Sequence, residues 1–250
     1  MEERLLYLDC LSGISGDMTI GALLDLGLDR EAFVNDLNKL AVEGYRLRIE
    51  KAQKSGITGT DFNVLLEKEP HHHQEEHSHT HRNLSDIEKL IDQSALEAPV
   101  KKMSKKIFSY VAKAEAKIHD KPLDQVHFHE VGAIDSIVDI IGVSILIQQL
   151  KPDKIIASPL HIGTGFVNCA HGKIPVPAPA TLEILKGIPI YSTGIRSELV
   201  TPTGAAIVKA LAEEFREVPM MEVEKIGYGM GTKDLEITNV LRMMLGKKKR

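Results

Sequence analysis

The chain contains no tryptophan, and aromatic residues make up 4% of it. Any core it builds must therefore come from Ile, Leu, Val and Ala. Cysteine is nearly as scarce. Cys10 and Cys169 are the two in 250 residues and form no CxxC pair, which excludes a disulfide framework. Positive charge is in deficit, with 31 Lys plus Arg against 35 Asp plus Glu and a net charge of −4. A protein that grips many phosphates of a nucleic acid carries a basic excess, so nucleic-acid binding is not expected. The one basic run, Lys247-Lys248-Lys249-Arg250, reads as a solvated tail. The longest apolar stretch, Gly132 to Leu150, is broken by Asp135, Ser136, Asp139 and two glutamines, whereas a membrane helix needs about 20 mostly apolar residues. MEERLLYLDC lacks the basic-then-apolar order of a signal peptide. These absences point to a soluble cytoplasmic protein in a reducing compartment.

What is present is an ordinary globular composition, 43% hydrophobic and 26% charged, long enough for one large domain or two small ones. Leu5 to Leu8 reads as a buried strand ending at Asp9. Cys10 to Asp17 is a Gly/Ser turn, and helices follow over Thr19 to Leu28 and Arg30 to Leu40. Tyr45 to Lys51 and Gly59 to Leu66 alternate in polarity and predict two strands. Pro70 to Arg82 has no apolar residue and cannot repay its ordering entropy by burial, so a disordered His-rich loop is expected. Asn83 to Ser85 looks like a helix start with a short helix over Asp86 to Asp92, and long helices are predicted from Pro99 and from Val131 to Leu150. Beyond a strand at Lys154 to Ala157, Ser158 to Pro179 reads as irregular. A short helix at Thr181 to Lys186, a strand at Ile188 to Ser192 and an amphipathic helix at Thr203 to Phe215 come next. Two closing strands, Val218 to Ile226 and Ile237 to Leu245, are separated by a Gly-rich loop. The expectation is an α/β or α+β fold with a mixed sheet and packed helices. Residues 1–69 form an N-terminal α/β part, 70–82 the flexible loop, and 83–250 a helical and α/β part that completes the domain.

Chemistry concentrates in a few places. His71, His72, His73, His77, His79 and His81 fall within eleven positions. Imidazole suits Ni, Cu, Zn and Fe rather than Mg or Ca, and a loop that must lose entropy to close on an ion should hold it exchangeably. His127-Phe128-His129-Glu130 places two imidazoles on one side of an extended backbone, about 7 Å apart by Cα. Asp135 and Asp139 follow at i, i+4 on an otherwise apolar helix. Their repulsion there calls for a metal, a Lys or Arg, or a protonated carboxyl. The strand–turn–helix from Asp9 to Met18, with Gly13, Ser15, Gly16 and Asp17, can aim backbone N–H groups at an anion, though it lacks the Lys of a P-loop. Asp9 and Asp17 could equally cap turns, and Cys10 could be a thiolate ligand or a small buried residue. Thr201-Pro202-Thr203-Gly204 opens another helix suited to an anionic group. His161, His171 and Lys173 on a proline-fixed loop suggest a binding wall. No catalytic residue stands out.

Taken in order, DCLSGISGDM, HFHEVGAIDSIVDIIG, HGKIPVPAPAT, ELVTPTGAA and IGYGMGTKD resemble the LarC family of nickel insertion proteins over about Leu5 to Leu245. That resemblance implies binding of Ni2+ and its insertion into pyridinium-3,5-bisthiocarboxylic acid mononucleotide. The product is a nickel-pincer nucleotide with two Ni–S bonds and one Ni–C bond, used by lactate racemase. It implies a nickel insertase or cyclometallase of the lyase class. It also implies dependence on CTP with a divalent ion, associated with a C-terminal region that family members carry beyond the point where this chain stops. The A-rich codons expected for Lys247-Lys248-Lys249 fit a first product of a frameshifted gene. Expected partners are the mononucleotide substrate and that C-terminal region, with a homo-oligomer left open. A nickel chaperone or storage protein, or a metal-dependent hydrolase, are the competing readings. The former explains the His-rich loop but not the Gly/Pro motifs, and the latter has no HExxH sequence.

Overall fold

The computed structural model describes residues 3–67, 82–126, 128, 134–169 and 172–248. Its chain order is β1 (Arg4–Asp9), α1 (Gly16–Asp25), α2 (Arg30–Asn38), β2 (Tyr45–Lys54), β3 (Ile57–Leu66), α3 (Leu84–Gln93), α4 (Ala98–Ile118), α5 (Ile134–Leu150), β4 (Lys154–Ala157), β5 (Leu160–His161), β6 (Phe166–Cys169), β7 (Gly172–Pro175), α6 (Pro179–Ile184), β8 (Ile190–Tyr191), α7 (Pro202–Leu211), β9 (Glu214–Phe215), β10 (Met221–Met230) and β11 (Val240–Lys248). Seven strands form one mixed sheet in the order β2-β3-β10-β11-β1-β4-β9. β1 lies antiparallel to β11 and parallel to β4. The hairpin β2–β3, which precedes the His-rich segment, joins the C-terminal strands through the parallel pair Gly229 and Thr60. Segments on either side of residues 68–81 thus share one sheet.

The apolar patterns explain the layering. The α5 sequence is hydrophobic on every side, and it lies in the core with Ile137, Val138 and Ile140 through Ile147 all buried. A helix of that composition has no face to give to water. The glycines of Ile226-Gly227-Tyr228-Gly229-Met230, expected in a loop, instead continue β10. A Cβ at Gly229 would come within 1.8 Å of the Met18 carbonyl oxygen, so glycine lets α1 lie directly on this strand.

Three further expectations are corrected. The stretch Ser158 to Pro179 is not irregular throughout, for it holds β5 and the hairpin β6–β7. These strands are only two to four residues long, too short for period-2 alternation to register beside so many prolines. The helix expected to reach Phe215 ends at Leu211 and gives way to β9. That helix is buried all round apart from Lys209 rather than amphipathic.

Candidate functional site

β1 ends at Asp9, and the chain turns through residues 10–15 before α1 begins. Gly13 makes the turn at φ +83°, and a Cβ there would strike the Leu199 carbonyl oxygen at 1.9 Å. The Ile14 N–H donates to the Leu199 carbonyl at 3.0 Å, and the Thr201 N–H donates to the Ile14 carbonyl at 3.2 Å. This parallel bridge between Ile14 and Val200 binds the loop before α1 to the loop before α7. Gly204 is needed for the same contact, since a Cβ would lie 2.1 Å from the Ile14 carbonyl oxygen. The first turn of α5 faces the pair, so three helix N-termini surround one cavity of about 340 Å3. Ser15, Gly16 and Asp17 line it from α1, Asp135, Ser136 and Asp139 from α5, and Thr201, Pro202 and Thr203 from α7. Asn63 and Val64 of β3 and Glu198 complete the wall. The volume falls in the lower part of the range usual for small-molecule sites.

Carboxyls dominate the electrostatics. Burial raises the pKa of Asp17, against the pull of the Ser15 hydroxyl, which donates to its Oδ1, and of the backbone N–H groups of Met18 and Asp17. Burial also pushes Asp139 well above the usual carboxylate range, reinforced by the charges of Asp17 and Asp135 and opposed by the Asp17 N–H. Gly16 permits this arrangement, because a Cβ would sit 2.4 Å from Oδ2 of Asp139. The start of α1, expected as an open anion cradle, thus already turns its amides on carboxylates of the chain itself. At α7 the Thr201 hydroxyl oxygen accepts the Gly204 N–H at 3.0 Å, and Pro202 occupies the first turn, where a missing N–H costs nothing. Two buried polar atoms of the cavity wall, Oδ1 of Asp139 and Nδ2 of Asn63, have no hydrogen-bond partner among the described residues.

The cavity therefore unites motifs far apart in the chain: Ser15, Gly16 and Asp17 with Asp135 and Asp139 and with Thr201 and Thr203. Gly13 and Gly204 instead serve the loop contact. His71, His72, His73, His77, His79, His81, His127, His129 and Glu130 lie outside the described residues. Phe128 between the two histidines is 2% exposed, tilted against Phe108 at 6.3 Å, and donates its N–H to the Arg82 carbonyl at 3.0 Å. Among the described residues no group of three or more His, Cys, Asp or Glu is arranged to hold a metal ion, and no salt bridge reaches Asp135 or Asp139.

Other candidates have structural roles. His161 is buried with Nδ1 2.7 Å from the Leu11 carbonyl, Nε2 accepting the Thr193 N–H at 3.3 Å, and its ring stacked on Tyr191 at 4.8 Å. Its ring is thus held inside the core rather than presented on a binding wall. Lys173 lies over the Phe166 ring at 5.1 Å, and His171 is outside the described residues. Cys10 is fully buried, and desolvation drives its thiol pKa far up, which removes it as a ready thiolate ligand. Asp9 is paired with Arg242, whose Nε lies 2.9 Å from Oδ2. Asn63 escaped the sequence reading because a polar residue in an alternating strand looks like its solvent face. The one available signal was the low strand propensity of Asn between Phe62 and Val64.

A family model described as nickel insertion protein matches residues 6–250. The chain is 53% identical over 252 residues to the pyridinium-3,5-bisthiocarboxylic acid mononucleotide nickel insertion protein of Clostridium kluyveri, covering 99% of this chain and 63% of that protein. It is 52% identical over 248 residues to the protein of that name from Acetivibrio thermocellus, covering 98% and 61%. Against its counterpart from Geobacillus kaustophilus the identity is 49% over 251 residues, covering 99% and 61%. The chain thus spans about three fifths of the length of the curated relatives it matches. No solved structure matches it. Among the described residues no helix is long and apolar enough to cross a membrane.

Proposed function

This chain belongs to the nickel insertion protein family, and we propose that it brings Ni2+ and pyridinium-3,5-bisthiocarboxylic acid mononucleotide together for insertion of the metal. The substrate is the one named for its relatives. In this reading the chain is the nickel-binding part of a cytoplasmic insertase, a cyclometallase of the lyase class. The product is the pincer cofactor of lactate racemase. A CTP-dependent step with a divalent ion falls to the region that the longer relatives carry beyond the match. The observation that supports it best is the cavity, where carboxyls and helix N-termini from three separate motifs line one volume.

Nickel is a substrate here, and its path follows ligand type. His71, His72, His73, His77, His79 and His81 gather the ion, and His127, His129 and Glu130, with Asp135 and Asp139, take it over. One contact favours such a transfer. Arg82, which follows His81 in the chain, is hydrogen-bonded to Phe128, which separates His127 from His129. The mononucleotide occupies the cavity with its phosphate toward Thr201 and Thr203, because the first amides of α1 already face Asp17 and Asp139. Ser15, Gly16 and Asp17 then border the cationic ring and the metal. Thiocarboxylate sulfur is a soft donor that displaces harder ligands from nickel. Forming Ni–C releases one ring proton, so a base must stand near the ring.

Calorimetric titration with nickel tests this on the 250-residue chain, on a variant lacking residues 70–81, and on the quadruple variant His127→Ala, His129→Ala, Asp135→Asn, Asp139→Asn. The expected result is one tight site that survives loop deletion and disappears in the quadruple variant. Loss of all binding with the loop would sink the proposal of an ordered site at the cavity.

A further inference from the structure

Asn63 belongs to β3, where Phe62 points into the core and Asn63 lines the cavity. Its cross-strand partner is Arg48, whose guanidinium is taken up by Asp61 and Glu50 at 3.3 Å each. Arg48 is a donor only, so it offers the Asn63 amide nothing to bond, and the amide nitrogen is buried with no acceptor among the described residues. Oδ1 of Asp139, in the wall of the same cavity, is likewise without a hydrogen-bond partner among the described residues. Folded proteins rarely leave such a group unsatisfied, and the unanswered amide N–H of Asn63 calls for an acceptor from a ligand in the cavity.

The chemistry of that ligand is narrow. A hydroxyl oxygen accepts without bringing a charge, whereas a carboxylate, thiocarboxylate or phosphate would add negative charge to a wall that already holds Asp17, Asp135, Asp139 and Glu198. An apolar ring edge offers no acceptor. A mononucleotide offers such hydroxyls on its ribose. We propose that Asn63 is a positioning residue that donates its amide N–H to a ribose hydroxyl of the substrate. This assignment rests on the reading that the cavity holds the mononucleotide. It orients the sugar at the wall formed by β3 and α5, opposite the phosphate at α7, and leaves the ring between them.

The test uses nicotinic acid mononucleotide and its 2′,3′-dideoxy counterpart as probes, titrated calorimetrically into the parent chain, Asn63→Ala and Asn63→Leu. The second variant removes the donor while keeping the branched shape and adding no charge. The parent should bind the ribose probe roughly tenfold more tightly than the dideoxy probe, about the worth of one well-made hydrogen bond. Both variants should lose that discrimination while their affinity for the dideoxy probe changes less than about twofold. Discrimination that persists in both variants overturns the assignment. So does equal weakening of both probes, which is the mark of a merely structural asparagine. A parent that binds both probes equally overturns the role of Asn63 but leaves the substrate cavity standing. A parent that binds neither removes the cavity reading and this assignment with it. Thermal melting of the variants separates lost recognition from lost fold.

Discussion

Asp139 carries a conflict that the rest of α5 does not share. Every neighbour from Ile137 to Ile147 is buried and uncharged, while its carboxyl is pressed against Gly16 beside two more carboxyls. Its folded pKa lies above the value near 3.8 that it has when unfolded, so the folded state holds the proton more tightly. The stability this confers is complete below that value and is lost as pH rises through the raised pKa. Asp139→Asn should therefore be more stable than the parent at pH 7, by on the order of 1 kcal/mol. The gap should close as pH falls toward 4. Urea unfolding of chelator-treated protein across that range checks it, and a variant less stable than the parent at pH 7 would refute the account. The conflict was visible in the sequence, since two acids at i, i+4 on an apolar helix need an explanation wherever they occur. Asn63 was not visible, because what makes it unusual is its place in a cavity wall shared with α5 and α7, and no residue near it in sequence reports that.

At the scale of elements, local chemistry was legible where it is self-contained. α3 begins with a reciprocal cap, in which the Asn83 side chain accepts the Asp86 N–H at 2.9 Å and Asp86 accepts the Asn83 N–H at 3.2 Å. Asn83→Ala should cost about 1 kcal/mol, read as a lower urea midpoint at unchanged slope. An unchanged midpoint would show that the packing of Ile87 and Ile91, not the cap, holds the helix. The cap adjoins Arg82, whose carbonyl anchors Phe128, so the same variant reports on the junction that carries His127 and His129. The elements that misled were those whose partners are distant. β10 runs through glycines because α1 lies on it, and β9 interrupts an apparently helical pattern because the edge of β4 accepts it in parallel.

For the molecule as a whole, closure depends on the first strand lying between β11 and β4. Asp9 at the end of β1 is 6% exposed and paired with Arg242 of β11, an ion pair between opposite ends of the chain. Arg242→Ala leaves that carboxylate buried without its partner and should destabilise the protein by about 2 kcal/mol. Arg242→Ala combined with Asp9→Asn should recover part of the loss. The double-mutant cycle in urea measures the coupling, and strict additivity would mean that the pair contributes nothing of its own.

Composition and pattern by themselves determined the mixed α/β character, most of the helices and the central strands, because hydrophobic periodicity and caps act over a few residues. They also marked the acids and glycines that reach the cavity, since a charge on an apolar helix or a glycine before one is anomalous where it stands. Only the tertiary structure decided that residues 15–17, 63, 135, 136, 139 and 201–203 surround one volume. It also showed that the amides of α1 are spent on carboxylates and that, in the cavity wall, the Asn63 amide and Oδ1 of Asp139 have no partner among the described residues. Those facts depend on a bridge between Ile14 and Val200, a contact across nearly the whole chain that backbone hydrogen bonding and close packing create and local sequence does not encode.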